Sequence, residues 1–438
     1  MKKLLLVFLS VMAFVGMSLA QDVYSAGYYI NSNSRQTAAV YKNGTKLYNS
    51  NPSEGYSHDC PAVDYYNNNV YWAVNTMNSD GSFNRALIKK NDETYASYTV
   101  NGGSHIYDIE RASFGSRNLL VAGCTNYLGF KTAAFWFEDD TNPTILGVPY
   151  FESEAYGVTS CKTTSNVEVA YVCGVQHVGS TYMGVIWSIT AGNTGPEILH
   201  TFDTGTKIFD IAYYSGFLSV VGTAVVGGTT QLKVWETRID DGATTELYTL
   251  AANSSETHPE RTKIYVDEGD VYVVGVTDGY DRLYKNGTQI YSTAAYFTSV
   301  AVNSNGVYYS GSSDSNGSYS GQQYGRIWKD GSVLFSPSNC TRINQLWVEE
   351  PECNDNYFHL PFTEGFEMGN TVWPCWTIND QDNNNDYSSS WIRVGDRFGQ
   401  PASGDYCVEH SWGPGTQEAG SSARESRYQK VATSSYPS

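Results

Sequence analysis

The sequence is poor in positive charge. It carries 27 Lys and Arg residues against 45 Asp and Glu, which gives a formal net charge of −18 at pH 7. Phosphate backbones and anionic membranes are bound through clusters of basic side chains, so this composition argues against a nucleic-acid partner and a polybasic membrane anchor. Charged residues make up only 16% of the chain, whereas aromatic residues reach 14%. Such a composition predicts a packed core and not a disordered chain.

Long apolar runs are also missing, with one exception at the N-terminus. Lys2 and Lys3 precede an apolar segment over 4–15, and Ser18-Leu19-Ala20 is a small-x-small cleavage site. This pattern predicts a secretory signal peptide over residues 1–20, because the apolar run is short for a membrane anchor. We therefore expect an exported protein without membrane insertion, either extracellular or at the cell surface. The periplasm is the alternative location.

Motifs that carry catalysis are absent from the sequence. It has no G-x-S-x-G elbow, no H-E-x-x-H helix, and no C-x-x-C pair among its eight cysteines. The consecutive Ser57, His58 and Asp59 alternate between opposite faces of an extended chain, so they do not predict a catalytic triad. The run 312–317 comes near the Asp-box of sialidase propellers but has one extra residue, and the arginines are scattered. We expect that the protein is not an enzyme.

A short β-rich run recurs seven times, at intervals of 36 to 53 residues. Six copies end in glycine, at Gly27, Gly123, Gly174, Gly222, Gly275 and Gly311, and one ends in Val74. A bulky residue follows each copy, in the order Tyr41, Ile88, Trp136, Trp187, Trp235, Tyr284 and Trp328. Because this series recurs at one place in every unit, we interpret it as packing between units rather than as a sugar-stacking ring.

The repeat predicts an all-β fold. Asn-Gly and Asp-Gly turns, such as 43–44, 286–287 and 330–331, separate short strands, and each unit has room for four of them. Four-stranded units of this period are typical of propeller blades. We therefore predict a seven-bladed β-propeller over 21–353. Its last strand, 344–349, is expected to complete the blade that begins at Val23 and so to close the ring.

The longest connections and the cysteines give further candidates. The connections 49–60, 149–156 and 252–261 are the candidate binding loops, since Tyr, Asn, Ser and Gly provide rigid contact area and adaptable hydrogen bonds. Export permits disulfides, and the nearest pairs are Cys161 with Cys173 and Cys340 with Cys353. Two separate buried thiols are the alternative for the first pair.

After Cys353 the repeat stops and a different pattern begins. A Phe-x-Glu-x-Phe-Glu run is followed by Pro, an Asp-x-Asp pair and Trp. This segment resembles the opening of the cleaved-adhesin family, the jelly-roll modules of gingipains and haemagglutinins secreted by Bacteroidetes. The resemblance covers about 60 residues and implies an adhesive or carbohydrate-binding β-sandwich with bound Ca²⁺. The 85 residues over 354–438 are fewer than such a module needs, so we expect an incomplete one. The matching residues are Phe362, Glu364, Phe366, Glu367, Pro374, Asp380, Asp382 and Trp391, with Trp376 one residue early.

Oxygen-bearing side chains alternate between 380 and 386, as at the start of a calcium loop. An EF-hand is excluded because Asn385 stands where that loop needs Gly and Trp391 where it needs Glu. The alternative is a solvated loop rich in Asn and Asp. The predicted calcium ligands, of which Glu367 comes from the resemblance alone, are Glu367, Asp380, Asp382 and Asp386.

These observations predict an exported, non-enzymatic binding or adhesion protein that recognises an extracellular glycan or a host or matrix protein. One alternative is a propeller-based, glycan-active hydrolase, which predicts convergent carboxylates of perturbed pKa at the central channel. The other alternative is a structural envelope protein without a ligand.

Overall fold

The computed structural model describes residues 21–349, except for short gaps at 99–102, 115–116, 139, 141, 164–166, 192–194, 252–258, 278 and 315–320, together with three strands between 376 and 411. The chain divides into two compact units, Met1–Glu350 and Pro351–Ser438. In the first unit, 29 strands form seven antiparallel sheets, and each sheet is one blade of a propeller.

The first four blades take their strands almost in chain order. Blade 1 contains β1 (Val23–Ile30), β2 (Gln36–Lys42), β3 (Thr45–Asn49) and, from the end of the unit, β29 (Arg342–Val348). Blade 2 contains β4 (Ser57–Asp59), β5 (Val63–Tyr66), β6 (Asn69–Met77), β7 (Phe83–Lys90) and β8 (Glu93–Tyr98). Blade 3 contains β9 (Ser104–Phe114), β10 (Arg117–Tyr127), β11 (Phe130–Phe137) and β12 (Thr144–Ile145). Blade 4 contains β13 (Ser153–Lys162), β14 (Glu168–Val178), β15 (Thr181–Thr190) and β16 (Glu197–Thr204).

The remaining blades follow the same order. Blade 5 contains β17 (Thr206–Tyr214), β18 (Phe217–Val226), β19 (Thr229–Arg238) and β20 (Thr244–Ala251). Blade 6 contains β21 (Lys263–Asp267), β22 (Asp270–Thr277), β23 (Tyr280–Lys285) and β24 (Thr288–Ser292). Blade 7 contains β25 (Tyr296–Asn303), β26 (Gly306–Ser313), β27 (Tyr324–Lys329) and β28 (Ser332–Phe335). Short 3₁₀ turns at Pro52–Glu54 and Pro259–Arg261 precede blades 2 and 6.

The ring closes as the sequence predicts. Strand β29 pairs antiparallel with β1, with Val23 opposite Val348 and Tyr28 opposite Arg342. One inner strand from each blade contacts the inner strands of both neighbouring blades, in a cycle that runs through β5, β9, β13, β17, β21, β25 and β29. These inner strands therefore surround a central channel. In blade 2 the inner strand is split into β4 and β5 around Pro61, which has no N–H to give to a ladder.

The repeated glycine faces an irregularity in the inner strand. In blades 1, 3, 4, 5 and 7 the pairing register shifts next to this glycine, because the inner strand has one extra residue there. A Cβ at Gly174 would lie 1.9 Å from the carbonyl oxygen of Glu154, and one at Gly123 would lie 2.0 Å from that of His105. Only glycine leaves room for the bulged strand. Val74 occurs in blade 2, where the inner strand is split instead of bulged.

The aromatic series packs between blades. Trp136 of blade 3 lies in one buried cluster with Tyr71 and Tyr98 of blade 2, and its ring stacks on Tyr98 with centroids 5.1 Å apart. Trp187 of blade 4 is likewise buried against Phe137 of blade 3. The interpretation as inter-blade packing is therefore confirmed for Trp136 and Trp187, whose rings hold neighbouring blades together through apolar burial.

The cysteine pairing within blade 4 is corrected by the structure. Cys161 and Cys173 are buried free thiols. Cys161 lies opposite Val169 whereas Cys173 lies opposite Gly157, so the two are not cross-strand partners and the predicted disulfide is wrong. Cys340 is also a free thiol, and its predicted partner Cys353 lies outside the described residues.

The second unit is described through three strands. β30 (Trp376–Asn379) pairs with β31 (Trp391–Val394), which pairs with β32 (Glu409–Ser411), all antiparallel. The predicted calcium ligands Glu367, Asp380, Asp382 and Asp386 lie outside the described residues, as does the predicted signal peptide. Within the described part of the chain, no helix is long and apolar enough to cross a membrane.

Candidate functional site

Equivalent positions of the inner strands bring polar side chains together in the channel. The residue that follows the bulge in blade 3 is Asp108, and its counterpart in blade 5 is Asp210. The counterpart in blade 4 is Gly157, where a Cβ would lie 2.7 Å from Asp210 Oδ1. The missing side chain of Gly157 therefore gives the Asp210 carboxylate its space between the blades. In blade 6 the counterpart is Lys263, whose Nζ lies 3.5 Å from Asp210 Oδ1.

These channel groups titrate abnormally because they are buried. Burial raises the pKa of Asp108 and of Asp210, although the Lys263 ammonium acts in the opposite direction on both. Burial raises the pKa of Asp64, on β5, to about 6. Burial alone would lower the pKa of Lys263, but the carboxylates of Asp210 and Asp108 outweigh it and raise that pKa. Convergent carboxylates of raised pKa, the feature that the hydrolase alternative predicts, are thus present in the channel.

Each of these channel carboxylates also binds backbone of the next blade. The N–H of Arg111 donates to Asp64 (2.6 Å), that of Val158 to Asp108 (3.2 Å), and that of Ile264 to Asp210 (2.8 Å). Neutral side chains make the same bond elsewhere in the ring, as the N–H of Val63 donates to Gln345 Oε1 (2.7 Å) and that of Leu346 to Ser299 Oγ (3.3 Å). A polar inner-strand side chain that accepts from the next blade is therefore a recurrent structural link.

A pocket opens at the mouth of the channel where the inner strands begin. We call it the mouth pocket, and its volume is about 280 Å³. Its wall combines tyrosine rings with charged and amide groups. The lining residues are Tyr28, Gln36, Asp59, Pro61, Met77, His105, Tyr107, Tyr156, Pro259, Glu260, Lys263, Arg342 and Asn344. This size and mixture of groups suit a small polar ligand with apolar faces.

Two features of the chain build this pocket. The bulges turn Tyr107, Tyr156 and Asn344 toward it, because each of these residues is the extra one in its inner strand. The three candidate binding loops also end at it, since 49–60 supplies Asp59, 149–156 supplies Tyr156, and 252–261 supplies Glu260. Described residues from each predicted loop therefore lie at this site.

Several lining groups are held in place by hydrogen bonds. Asn344 Nδ2 donates to Asp59 Oδ1 (2.8 Å), and burial raises the pKa of the Asp59 carboxyl although the charge of Arg342 opposes that rise. The hydroxyl of Tyr107 donates to the carboxylate of Glu154, which also lies 2.8 Å from Lys131 Nζ. The acceptors and tyrosine rings of the pocket are thus fixed by the fold before any ligand enters.

Two lining residues have donors that meet no acceptor. Nε and Nη2 of Arg342 are buried without a hydrogen-bond partner, and so is Nδ1 of His105. Burial lowers the pKa of His105 to about 3, so its ring is neutral at neutral pH. Buried polar groups are normally paired, and these donors share their unpaired state with other buried groups of the ring, such as Trp136 Nε1 and Trp187 Nε1.

Other predicted residues have structural roles. His58 Nδ1 lies 2.6 Å from Ser50 Oγ, inside the protein, whereas Asp59 faces Asn344, so Ser57, His58 and Asp59 form no triad. No group of three or more His, Cys, Asp or Glu side chains is placed to hold a metal ion within the part of the chain that the structure describes. Sequence reasoning missed Arg342, His105 and Lys263. Arg342 and His105 each lie two residues before the extra residue of their inner strand, whereas Lys263 begins an inner strand whose pairing register shows no shift.

No protein-family model and no curated protein matches the sequence. Solved structures match at the level of fold. A prolyl endopeptidase, from a study of two such enzymes and their inter-domain dynamics, gives a TM-score of 0.41 at 10% identity, over 85% of this chain and 54% of that chain. A putative 6-phosphogluconolactonase from Bacteroides uniformis gives a TM-score of 0.41 at 12% identity, and the match covers 75% of this chain and 99% of that chain. The acylaminoacyl peptidase of Pyrococcus horikoshii gives a TM-score of 0.37 at 10% identity, and the match covers 64% of this chain and 46% of that chain. The chain spans about half the length of the two peptidases, and the likeness concerns the all-β, seven-bladed fold alone.

Proposed function

We propose that the protein is an exported, non-enzymatic binding protein that recognises an extracellular glycan, and that the mouth pocket holds the sugar. One observation carries this proposal. The pocket places the rings of Tyr28, Tyr107 and Tyr156 beside the fixed acceptor Asp59. Aromatic faces can cover the C–H face of a sugar, while carboxylate and amide groups exchange hydrogen bonds with its hydroxyls.

The hydrolase alternative has weaker support. A glycosidase needs two carboxyl groups that face the scissile bond, one as acid and one as base or nucleophile. Asp108 and Asp210 converge, but each accepts a backbone N–H from the next blade, and Asp210 also lies near Lys263. These bonds favour a structural role for the pair. We therefore place binding ahead of hydrolysis.

The C-terminal region supplies the second part of the proposal. Its resemblance to the cleaved-adhesin family suggests a calcium-dependent adhesive module, with Glu367, Asp380, Asp382 and Asp386 as the ligands. The two parts are separable by experiment, because EDTA removes Ca²⁺ whereas single substitutions alter the mouth pocket.

The test is a glycan array probed with the full exported chain, 21–438, in Ca²⁺ and in EDTA. We expect binding that persists in EDTA and falls at least tenfold in Tyr28→Ala and Tyr156→Ala. Tyr214→Ala is the matched control, because Tyr214 is 40% exposed and does not line the pocket. Its binding should equal that of the unmodified chain.

Three outcomes would contradict the proposal. Binding that is lost in EDTA and unchanged in both pocket variants would move the site to the C-terminal region. Release of reducing sugar from a bound glycan, abolished in Asp108→Asn, would favour the hydrolase. Binding to no glycan would favour a structural envelope protein.

A further inference from the structure

Blade 3 and the connection that leaves it carry an exposed apolar surface outside the mouth pocket. The tip of the β10–β11 hairpin contributes Tyr127 and Leu128, and the connection from β12 to β13 contributes the four consecutive exposed residues 148–151. Tyr127 pairs with Phe130 across the hairpin, and the rings of Phe130 and Tyr150 have centroids 6.2 Å apart. We call Tyr127, Leu128 and 148–151 the blade-3 patch. An exposed apolar run of this length is unusual on a folded surface unless it has a function.

The hairpin tip holds a side chain that its turn disfavours. Leu128 and Gly129 both have positive φ, +54° and +86°, as in a type I′ turn with two central residues. Asn or Asp normally occupies the first central position, because a short polar side chain tolerates the left-handed backbone. This chain follows that rule at Asn43 and Asn286, which begin equivalent two-residue turns. Leu128 is therefore strained at its position.

The neighbouring connection has the same property. The N–H of Phe151 donates to the carbonyl oxygen of Val148 (3.3 Å), which closes a four-residue turn with Tyr150 in the third place. Tyr150 has a φ of +71°, where such a turn normally has Gly or Asn.

Strain and exposure coincide at these two residues. Twelve non-glycine residues of the described chain have positive φ, and ten of them are Asn, Asp, Ser or Glu. The other two, Tyr150 and Leu128, are also the most exposed large apolar side chains of the described chain, at 66% and 56%. Backbone strain that holds apolar side chains in solvent does not help the isolated fold, so it points to a partner that covers them.

We propose that the blade-3 patch is a dimer interface, covered by the same patch of a second copy of this chain across a two-fold axis. If each large side chain has roughly 200 Å² of surface, the exposed part of the patch amounts to about 500 Å². This area is near the upper end for a monomer surface. A polar rim around it would complete the roughly 800 Å² per partner of a standard interface. This inference does not depend on glycan binding.

The charges beside the patch favour a second copy. Segments 127–130 and 147–151 contain no charged residue, although the chain has a formal net charge of −18. Both signs follow directly: Lys131 after the first segment and the exposed Glu152 after the second. Lys131 binds Glu154 of its own copy (2.8 Å), yet its side chain is still 39% exposed. A two-fold axis can direct Lys131 of each copy toward Glu152 of the other, so the rim is complementary to itself.

A lipid surface fits these charges less well. The acidic chain is repelled by anionic headgroups, and Glu152 would enter the headgroup region together with the patch. A strongly charged protein partner would in turn find a rim in which the two signs balance. The second copy is thus the occupant that the surroundings of the patch support.

The experiment is sedimentation equilibrium of the full exported chain, 21–438, from about 1 to about 200 µM at pH 7. We expect a reversible monomer–dimer equilibrium with a dissociation constant in the micromolar range. Leu128→Asn and Tyr150→Asn should each raise that constant at least tenfold, because each removes an apolar side chain from the interface. Val333→Asn is the matched control, since Val333 is 53% exposed but lies on β28 of blade 7.

The same two variants separate loss of the dimer from loss of the fold. Asn tolerates positive φ, so the thermal unfolding midpoint of each variant, measured where all proteins are monomers, should equal or exceed that of the unmodified chain. Amide hydrogen exchange gives the location. At high protein concentration, exchange should slow in 127–130 and 148–151 and stay unchanged in 332–335.

Three results would overturn the proposal. One is a monomer at every concentration. Another is a dimer whose dissociation constant is unchanged in both variants, or whose protected amides lie elsewhere. The third is a monomer that floats with phosphatidylcholine vesicles and loses this property in both variants, which would assign the patch to lipid. The glycan array reads the mouth pocket separately, so none of these results decides the proposed function.

Discussion

The interior of the channel and its mouth are built from the same inner strands, but they differ in whether their polar side chains have hydrogen-bond partners. In the interior, Asp64, Asp108 and Asp210 each accept a backbone N–H from the neighbouring blade. At the mouth, Arg342 and His105 keep buried donors without acceptors. Paired polar groups fix one arrangement of the blades, whereas buried donors without acceptors cost free energy.

The boundary between the two regions is the bulge. The extra residue lets the inner strand turn tyrosine and amide side chains to the mouth, and the following residue then faces the neighbouring blade. The repeat glycine is the condition for this arrangement because its missing Cβ makes room for the bulged carbonyl. In blades 1, 3, 4, 5 and 7, one glycine therefore serves both regions.

Gly174→Ala should have the largest effect, because it disturbs both regions together. Its Cβ would lie 1.9 Å from the backbone oxygen of Glu154, and backbone cannot swing aside as a side chain can. We expect a loss of about 3 kcal/mol in the free energy of unfolding, measured by denaturant titration. Gly195→Ala is the matched control, since nothing lies within 4 Å of a Cβ there. Equal stability of the two variants would show that the bulge does not need glycine.

Asp64→Ala tests the interior link. The substitution leaves the backbone N–H groups of Arg111 and Tyr65, which donate at 2.6 and 2.7 Å, without an acceptor. We expect a loss of about 2 kcal/mol in the free energy of unfolding, because unsatisfied buried donors are expensive. Asp64→Asn keeps an acceptor for one of the two N–H groups and turns an NH₂ donor toward the other, so it should lose less than Asp64→Ala. Asp92→Ala, at an exposed acid, is the second control and should leave stability unchanged.

An equal loss in Asp64→Ala and Asp64→Asn would mean that the charge, and not the hydrogen bond, links the blades. The linkage would then be electrostatic, and high salt should weaken it.

The pH dependence of stability should also report on the interior. Burial raises the pKa of Asp64 to about 6 from its ordinary 3.8, so between these values the folded state binds more protons than the unfolded state. Stability from this group is therefore greatest at low pH and falls as pH rises through 6. We expect the unmodified protein to lose about 1 kcal/mol between pH 5 and 7 relative to Asp64→Asn. Parallel stability curves for the two proteins would contradict the raised pKa.

Much of the fold followed from the sequence, and the site followed only in part. The repeat of Gly27 to Gly311 predicted seven blades and the closing strand, because each unit carries its own strand and turn signals. The inter-blade role of Trp136 followed from its recurrence. The disulfide prediction for Cys161 and Cys173 failed because spacing along the chain does not give the register across a hairpin.

The mouth pocket depends on tertiary structure that no local pattern carries. Tyr28, His105 and Arg342 come from three parts of the chain and meet because the ring closes through β29. The candidate loops were predictable, since loops between blades are long and rich in binding residues. The lack of an acceptor for Nε and Nη2 of Arg342 could not be predicted from the sequence. Whether an arginine forms an ion pair depends on which side chains the fold brings within about 4 Å.

Arg342→Met should have the smallest effect on stability and the opposite sign from the interior variants. Methionine keeps an unbranched stem in the wall and removes two buried donors that lack acceptors. We expect the free energy of unfolding of the ligand-free protein to rise by about 0.5 kcal/mol, since binding residues are often kept at a cost in stability. Thermal and denaturant unfolding without ligand measure this change, with Arg238→Met as the surface control. A clear loss of stability would show that the charge of Arg342 stabilises the buried Asp59 carboxylate by more than the two unpaired donors cost, and the contrast between interior and mouth would then disappear.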